Sequence, residues 1–303
     1  MAHAPLLAGV ELGGTKCVCI LASGPDRIVA EHRVLTTTPV ETLAAIEQVL
    51  DGWKAGEGFA ALGLASFGPL QLKPGAADHG FLTATPKPGW AHTDVAGRLE
   101  RRYAVPTAID TDVSGAGLAE GRWGGARGLS SYVYITVGTG VGAGIIVNGR
   151  SVMGIGHAEA GHMRVPRFPG DDWPGACPFH GDCVEGLASG FAIEQRMGLT
   201  GSEVPADHPV WETVAHALAG LCHNLVMGSV PERILIGGGV ATGQSQVLPM
   251  LRTMLVDSLA GYGNAPIIAA DIEHYIAPPA LGDQAGPLGA IALAMDALNI
   301  PFK

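Results

Sequence analysis

Long apolar runs, basic charge and aromatic side chains are all scarce in this 303-residue chain. No stretch approaches the roughly 18 consecutive apolar residues of a membrane helix, so no membrane partner is expected. Lysine and arginine number 18 against 28 acidic residues, and the formal net charge is −10. A nucleic-acid partner is not expected either, because phosphate backbones are bound by a basic face. A nucleotide ligand is compatible with this charge, since backbone amides and a metal ion can hold its phosphates.

Cysteine is also sparse, and its distribution indicates the compartment. The five cysteines are Cys17, Cys19, Cys177, Cys183 and Cys222. Residues 1–7 lack the basic start and long apolar run of a signal peptide. An odd cysteine count without such a signal indicates a reducing environment, so a cytoplasmic location is expected.

Glycine, in contrast, is abundant, with 45 residues that cluster in short turns after apolar strands. Strand patterns alternate with helical patterns, which predicts an α/β fold. The strand patterns lie at 8–20, 60–67, 107–109, 131–147 and 233–236. The helical patterns lie at 40–50, 93–103, 113–120, 212–227, 247–259 and 286–298. Residues 131–147 repeat the strand, glycine turn and strand of residues 8–20, and this loose repeat predicts two related domains.

Three glycine turns are candidates for phosphate binding: Gly13-Gly14-Thr15-Lys16, Gly138-Thr139-Gly140 and Gly237-Gly238-Gly239. Exposed backbone N–H groups in such turns surround phosphate oxygens, and a hydroxyl or a lysine adds direct contacts. Taken singly, each turn is better interpreted as an ordinary hairpin or strand end than as a phosphate-binding turn. None matches the longer Walker A loop, and none is the dinucleotide fingerprint, which must open a helix. Gly138-Thr139-Gly140 leads instead into β-like sequence.

Asp112 follows a short strand and precedes a helix of small residues, Val113–Glu120. A carboxylate in this position can accept the proton of a hydroxyl that is being phosphorylated. It can equally act only as the cap of the helix that follows. The spacing alone leaves both interpretations open.

A Cys/His-rich insert occupies residues 157–185. His162, Cys177, His180 and Cys183 form an H-x14-C-x2-H-x2-C pattern. Two thiolates and two imidazoles favour Zn²⁺ and complete a closed tetrahedral set, which indicates a structural site instead of a catalytic one. The alternative is an unliganded polar loop. The neighbouring His157, Asp171, Asp172 and Asp182 are interpreted as loop residues, with ligand contact by His157 as the alternative.

The three turns together, in this order, resemble the nucleotide-binding elements of the superfamily that joins actin, hexokinase and the heat-shock chaperone ATPases. The resemblance implies two duplicated actin-like (ribonuclease H-like) domains with an active-site cleft between them. It implies phosphate turns at 11–16 and 136–142, which include Thr136, and a segment at 236–240 beside adenosine. It also places Glu11 near Mg²⁺, as carboxylates suit that ion.

The Asp112 stretch and the insert resemble the ROK family (repressors, open reading frames and kinases) over nearly the whole chain. This resemblance implies that Asp112 is the general base and that the four His/Cys ligands hold a structural zinc ion. His180 stands where the family most often has a third cysteine.

The ROK resemblance also implies a sugar site. Its implied contacts are Gly68, Thr111, Asp112, Glu159, His162 and Glu185. Carboxylates suit sugars because they accept hydrogen bonds from neighbouring hydroxyls. His162 would place one ring nitrogen on zinc and the other toward the sugar. The family commonly has asparagine where this chain has Thr111.

The expected N-terminal domain is 1–113, with the helix at about 287–303 packed back on it. The expected C-terminal domain is 114–286. Residues 9–16, 85–90 and 177–183 resemble the fructokinase branch, which implies that the chain phosphorylates D-fructose with MgATP to give fructose 6-phosphate and ADP. A homodimer is expected because similar enzymes often form one.

Four alternatives stay open. The first is a broader hexokinase acting on mannose or glucose, and the second is a non-catalytic sugar sensor. A sensor of the repressor type would need a DNA-binding domain before the first turn, for which about ten residues leave no room. The third is a zinc hydrolase, which needs an open metal position. The fourth is an acetate kinase or chaperone ATPase, against which the zinc insert and the Glu-x-Gly-His motif argue.

Overall fold

A computed structural model describes residues 4–300 of the chain. These residues fold into two compact units. Unit 1 takes in the described parts of 1–128, 149–158 and 281–303, and unit 2 comprises 129–148 and 159–280. Among the helices of residues 4–300, none combines the length and apolar composition needed to cross a bilayer.

Within the described residues, ten strands form two five-stranded sheets. The strands are β1 Leu7–Leu12, β2 Lys16–Gly24, β3 Arg27–Leu35, β4 Leu62–Ser66, β5 Thr107–Thr111, β6 Ser131–Val137, β7 Val141–Val147, β8 Arg150–Ser151, β9 Arg233–Gly237 and β10 Ile276–Ala277. The first sheet has the order β3-β2-β1-β4-β5, and the second has the order β10-β9-β6-β7-β8. Each contains an antiparallel hairpin continued by parallel strands, which is the internal repeat predicted from the sequence.

Eleven α-helices accompany the sheets in the part of the chain that the structure describes. They are α1 Pro39–Ala55, α2 Ala96–Tyr103, α3 Asp112–Trp123, α4 Val184–Ala188, α5 Gly190–Met197, α6 Val210–Ser229, α7 Gly239–Gly243, α8 Val247–Leu259, α9 Ala265–Ala270, α10 Ile272–Tyr275 and α11 Ala285–Ala297. The two strands of each predicted hairpin and the helices at 247–259 and 286–298 are confirmed to within about a turn.

The sheet of unit 1 is covered on both faces. Val10 and Leu12 point into an apolar cluster with α1 and α2, while Leu7 and Ile20 point to the opposite face against α11. Both faces are therefore apolar, as expected for strands with helices on each side. This packing gives a rigid base to the end of β1, which carries Glu11, and to the end of β5, which Asp112 follows.

The observed division of the chain differs from the predicted domains 1–113 and 114–286. Helix α3 stays with unit 1 because it packs against α11. Residues 149–158 also belong to unit 1, so the chain passes between the units four times. The predicted C-terminal helix at about 287–303 is observed as α11, which packs on β1 and β4. Residues 301–303 of that prediction lie outside the described residues.

Candidate active site

The first glycine turn joins β1 to β2 in unit 1. It is closed by a hydrogen bond from Gly13 N to Lys16 O of 3.2 Å. Thr36, which follows β3, supports it from behind: its hydroxyl donates to Gly13 O at 2.8 Å and its backbone N–H donates to Thr15 O at 3.0 Å. Gly14, Thr15 and Lys16 are exposed. The turn therefore offers its outer surface to a ligand, as the predicted phosphate contact requires.

Two carboxylates lie beside this turn. Glu11 is in β1, and Asp112 is the first residue of α3. Burial and, to a smaller extent, the nearby negative charge of Asp112 raise the pKa of Glu11 to about 7, against the opposing charge of Lys16. A bound divalent cation relieves such repulsion by supplying positive charge to both oxygens. The pair thus fits the Mg²⁺ that accompanies ATP.

Substituting Glu11 with Gln should change how stability depends on pH in metal-free protein. The native pKa of about 7 exceeds the ordinary 4.5, so the wild-type free energy of unfolding should fall as pH rises from about 4.5 to 7. The side chain in the unfolded chain loses its proton in this range while the native one keeps it. We expect the free energy of unfolding of Glu11→Gln to rise relative to that of wild type by about 1–3 kcal/mol between pH 4.5 and 8.

Urea unfolding at several pH values, with a chelator present, measures this difference. Glu57→Gln is the control, because Glu57 is exposed and lies outside the site. Parallel pH profiles for wild type and Glu11→Gln would contradict the prediction.

Thr111, not Asp112, caps helix α3. The Thr111 hydroxyl accepts the backbone N–H of Ser114 at 3.2 Å and also bonds to the Ser114 hydroxyl at 2.8 Å. The half-buried Asp112 is the first helical residue, and its Oδ1 accepts its neighbour's N–H at 2.9 Å. The N-cap position is therefore filled by Thr111, and the carboxylate of Asp112 contributes to the helix only as a first-turn acid. Thr111 is buried with its hydroxyl engaged, so sugar contact there gains no support from its placement and stays a prediction.

Asp110 is a buried carboxylate that the sequence did not single out. Burial raises its pKa, while hydrogen bonds from the Ser151 hydroxyl and the Thr111 N–H act in the opposite direction. The bond to Ser151 fixes the 149–158 segment to the end of β5 within unit 1. Asp110 is thus a structural anchor beside the candidate base.

Gly68 lies in the loop after β4, where the Gly68-Pro69 peptide is cis. His157 supports this loop, because its Nε2 accepts the backbone N–H of Leu70 at 3.0 Å. This bond occupies one ring nitrogen of His157. The structure thus gives His157 a role in fixing the loop, in agreement with the main interpretation of that residue.

The second and third glycine turns line one cavity of unit 2. The cavity has a volume of about 460 Å³ and is bordered by Gly138, Thr139, Gly239, Phe191 and Gln244. Gly238 has a φ of +89°, and a Cβ there would lie 2.6 Å from the backbone of Val137. Only glycine fits such a position, which brings the start of α7 onto the end of β6. The predicted nucleotide-binding residues of unit 2 are thereby brought together.

Helices α4 and α5 hold the second turn in place. Gly190 N donates to Gly138 O at 2.7 Å, and Phe191 N donates to Thr139 O at 3.3 Å. From α4, the Oε2 of Glu185 accepts the N–H of Val141 at 3.0 Å. The carbonyls of the turn are thus engaged by the helices.

Glu185 also borders the predicted sugar motif. Its Oε1 lies 3.9 Å from Nε2 of His162, and Oε2 of Glu159 lies 4.0 Å from the same nitrogen. Gly161 permits this arrangement, since a Cβ there would lie 1.8 Å from the Val141 carbonyl oxygen. Two carboxylates and one imidazole nitrogen therefore converge next to the second turn.

The four predicted zinc ligands are brought together. The ligand atoms of His162, Cys177, His180 and Cys183 all lie within 4.8 Å of one another. The two Nδ1 atoms are 3.3 Å apart, and Nδ1 of His162 is 3.6 Å from each of the two sulfurs. Tetrahedral zinc with ordinary bond lengths needs about 3.4 Å between nitrogens and about 3.6 Å between nitrogen and sulfur. The cluster is therefore compatible with zinc. Nδ1 of His162 faces the other three side chains, while its Nε2 faces Glu159 and Glu185.

An ion-pair network braces the insert around this cluster. Asp171 pairs with Arg196 at 2.8 Å and with Arg167 at 3.3 Å, and Arg167 pairs with Asp182, the neighbour of Cys183. Arginines lower the pKa of Asp171 against the opposing effect of burial. Asp171 and Asp182 lie in loops, as interpreted from the sequence, but they also tie those loops together. Arg167 lies only four positions before Asp171, but the pairs Arg196–Asp171 and Arg167–Asp182 join distant positions that only the fold brings together.

Comparison with known proteins adds independent information. Residues 7–297 match the model of the ROK family. A fructokinase of Pediococcus pentosaceus is 39% identical over 294 residues, 97% of this chain and 99% of that protein. A fructokinase of Zymomonas mobilis subsp. mobilis is 42% identical over 301 residues and 96% of each chain.

Solved structures show the same fold. The ROK hexokinase from Thermus thermophilus has a TM-score of 0.79 and 25% identity, with 98% of this chain and all of that chain covered. A ROK family glucokinase from Streptomyces griseus, solved with glucose and AMPPNP, has a TM-score of 0.76 and 26% identity over 96% and 99% of the two chains. These likenesses extend over both units.

Proposed function

Since the chain belongs to the ROK family, we propose that it transfers the terminal phosphoryl group of ATP to O6 of D-fructose. It has the actin-like α/β fold of the ROK kinases and is an ATP-dependent sugar kinase. Fructose is the favoured hexose because the relatives of 39–42% identity over nearly the whole chain are fructokinases.

The observation that carries the site assignment is the position of Glu185. One of its oxygens accepts the Val141 N–H at the second turn, and the other lies 3.9 Å from His162 Nε2. A surface suited to sugar hydroxyls therefore adjoins a phosphate-binding turn within one unit. Glu159 supplies a second carboxylate to the same surface.

In the proposed reaction, each of the candidate site residues has a separate role. Asp112 accepts the proton of the O6 hydroxyl as the phosphoryl group arrives. The first and second turns position the phosphates through their N–H groups, and Lys16 adds positive charge. Glu11 would hold Mg²⁺ bound together with ATP, and the ion would supply positive charge to the phosphates. The third turn and the cavity near Phe191 take the adenosine part.

Zinc has a structural role in this proposal. Four protein ligands leave no open coordination position for a substrate or a reactive water. His162 would hold zinc through Nδ1 and present Nε2 to the sugar. A zinc hydrolase would need such an open position, which this four-ligand cluster does not offer. The homodimer and the cytoplasmic location stay predictions.

A coupled ADP-release assay across fructose, mannose, glucose and N-acetylmannosamine tests the function. We expect the kcat/KM for fructose to exceed each of the others by about 10-fold or more, because polar pocket groups discriminate hydroxyl patterns. Similar values for fructose, mannose and glucose would favour the broader hexokinase. Sugar binding without ADP release from any hexose would favour the non-catalytic sensor and overturn the kinase.

A further inference from the structure

Lys87 places a second ammonium group at the first glycine turn. Its Nζ donates to the carbonyl oxygen of Gly14 at 2.5 Å, across 73 positions of the sequence. Lys16 already lies in that turn. The chain has only five lysines, at positions 16, 54, 73, 87 and 303. Two of the five therefore lie at one turn of a chain whose net charge is −10.

The backbone that carries Lys87 is fixed from several sides. Prolines precede and follow it, which restricts φ at both neighbours. Trp90 N donates to Lys87 O at 3.2 Å, and the buried Trp90 ring donates through Nε1 to Thr37 O at 2.9 Å. Phe67 packs edge-on against Trp90 with ring centroids 5.3 Å apart. The rigid backbone of this segment thus positions the Lys87 side chain at the turn.

The ammonium group has donors to spare. Lysine has three N–H donors, and the bond to Gly14 O uses one of them. The Lys87 side chain is half-exposed, and residues 14–16 of the turn are exposed. The Nζ of Lys87 also lies over the Phe67 ring, 6.0 Å from the ring centroid. Lys54 is engaged in the same way with the Phe59 carbonyl and ring, far from this turn in the sequence, and Lys73 lies exposed.

The charge around the turn explains why a second cation is useful there. Glu11 and Asp112 place two carboxylates nearby. The Gly14 carbonyl adds a partial negative charge that would repel a phosphate. An ammonium group on that carbonyl cancels the repulsion and adds attraction for anionic oxygens.

We infer that Lys87 is a further ligand of the terminal phosphates of ATP, which it binds while it stays hydrogen-bonded to Gly14. The inference rests on the proposed function, because it takes residues 13–16 as a phosphate turn. It gives a role to residues 85–90, whose sequence resembles that of the fructokinase branch.

Three substitutions separate phosphate binding from simple support of the turn. Lys87→Gln keeps a donor for the Gly14 carbonyl but removes the charge. Lys87→Arg keeps both the donor and the charge, and Lys87→Met removes both. Lys73→Met is the matched control, since it removes an exposed lysine of the same unit.

Calorimetric titration of each full-length variant with MgATP, MgADP and AMP is the test, after a melting curve has verified folding. We expect Lys87→Gln and Lys87→Met to weaken MgATP binding by about 10- to 100-fold. AMP binding should change by less than about 2-fold, because AMP lacks the terminal phosphates. Lys87→Arg should stay within about 5-fold of wild type for MgATP, and Lys73→Met should match wild type.

Normal MgATP affinity in Lys87→Gln would overturn the inference and leave Lys87 as a support of the turn. An equal loss for AMP and MgATP would overturn it as well. If Lys87→Met melts early, the Gln and Arg variants still decide the outcome. The proposed function is tested separately by ADP release with fructose: an active wild type whose Lys87→Gln variant binds MgATP normally refutes only this inference.

Discussion

Asp112→Asn should lower kcat on fructose by about 10²- to 10⁴-fold, while fructose and MgATP still bind. The amide has the size of the carboxylate but cannot accept the proton of O6. Because Thr111 caps helix α3, the substitution leaves the cap intact. The lost interaction of a carboxylate with the helix N-terminus costs at most about 1 kcal/mol.

Steady-state kinetics together with calorimetric binding of each substrate measure this effect. Asp26→Asn is the control, because Asp26 is exposed between β2 and β3. It should match wild type in every measurement. Turnover within about 10-fold of wild type in Asp112→Asn would remove this residue from the role of base. Loss of binding with loss of turnover would instead make it a ligand of substrate or metal.

Removing the zinc site should produce the largest change in stability. We expect Cys183→Ser to lose bound zinc and to lower the free energy of unfolding by about 5 kcal/mol or more, because zinc binding contributes directly to folding. The melting temperature should fall by about 10 °C or more. Cys183 is fully buried and is the N-cap of helix α4, so both the cluster and the helix depend on it.

Cys222→Ser is the matched control, since Cys222 is equally buried in unit 2 but lies in α6 outside the cluster. Cys222→Ser should retain zinc, and its free energy of unfolding should fall by only about 1–3 kcal/mol because a hydroxyl is buried. Chelation should destabilise wild type and Cys222→Ser but leave Cys183→Ser unchanged. A wild type that loses its zinc to the chelator without any change in melting temperature would contradict a structural role.

The sequence predicted the two hairpins and the metal cluster because their signals are local. Apolar, β-prone runs broken by glycine mark Ser131–Val137 and Val141–Val147, and the cysteine and histidine spacing marks the cluster. The edge strand Arg27–Leu35 escaped prediction. Its charged residues and largely exposed side chains hide the alternation that a half-buried strand normally shows.

Features that depend on distant partners could not be predicted. Lys87 between two prolines has the pattern of a solvated loop residue, and only the tertiary fold brings it to Gly14. Asp110 likewise depends on Ser151, which returns to unit 1 after the second hairpin. No change in composition marks the point where residues 149–158 return to unit 1. The predicted boundary at residue 113 therefore differs from the observed division.

Gly161 imposes a constraint on any attempt to redesign sugar preference. Even a methyl group at this position would overlap the Val141 carbonyl, which belongs to the same turn that Glu185 holds. A larger residue would push the Glu-x-Gly-His motif away from β7 and disturb the proposed nucleotide and hexose sites together. Directed evolution for a different hexose should therefore keep position 161 fixed and diversify other positions around the pocket.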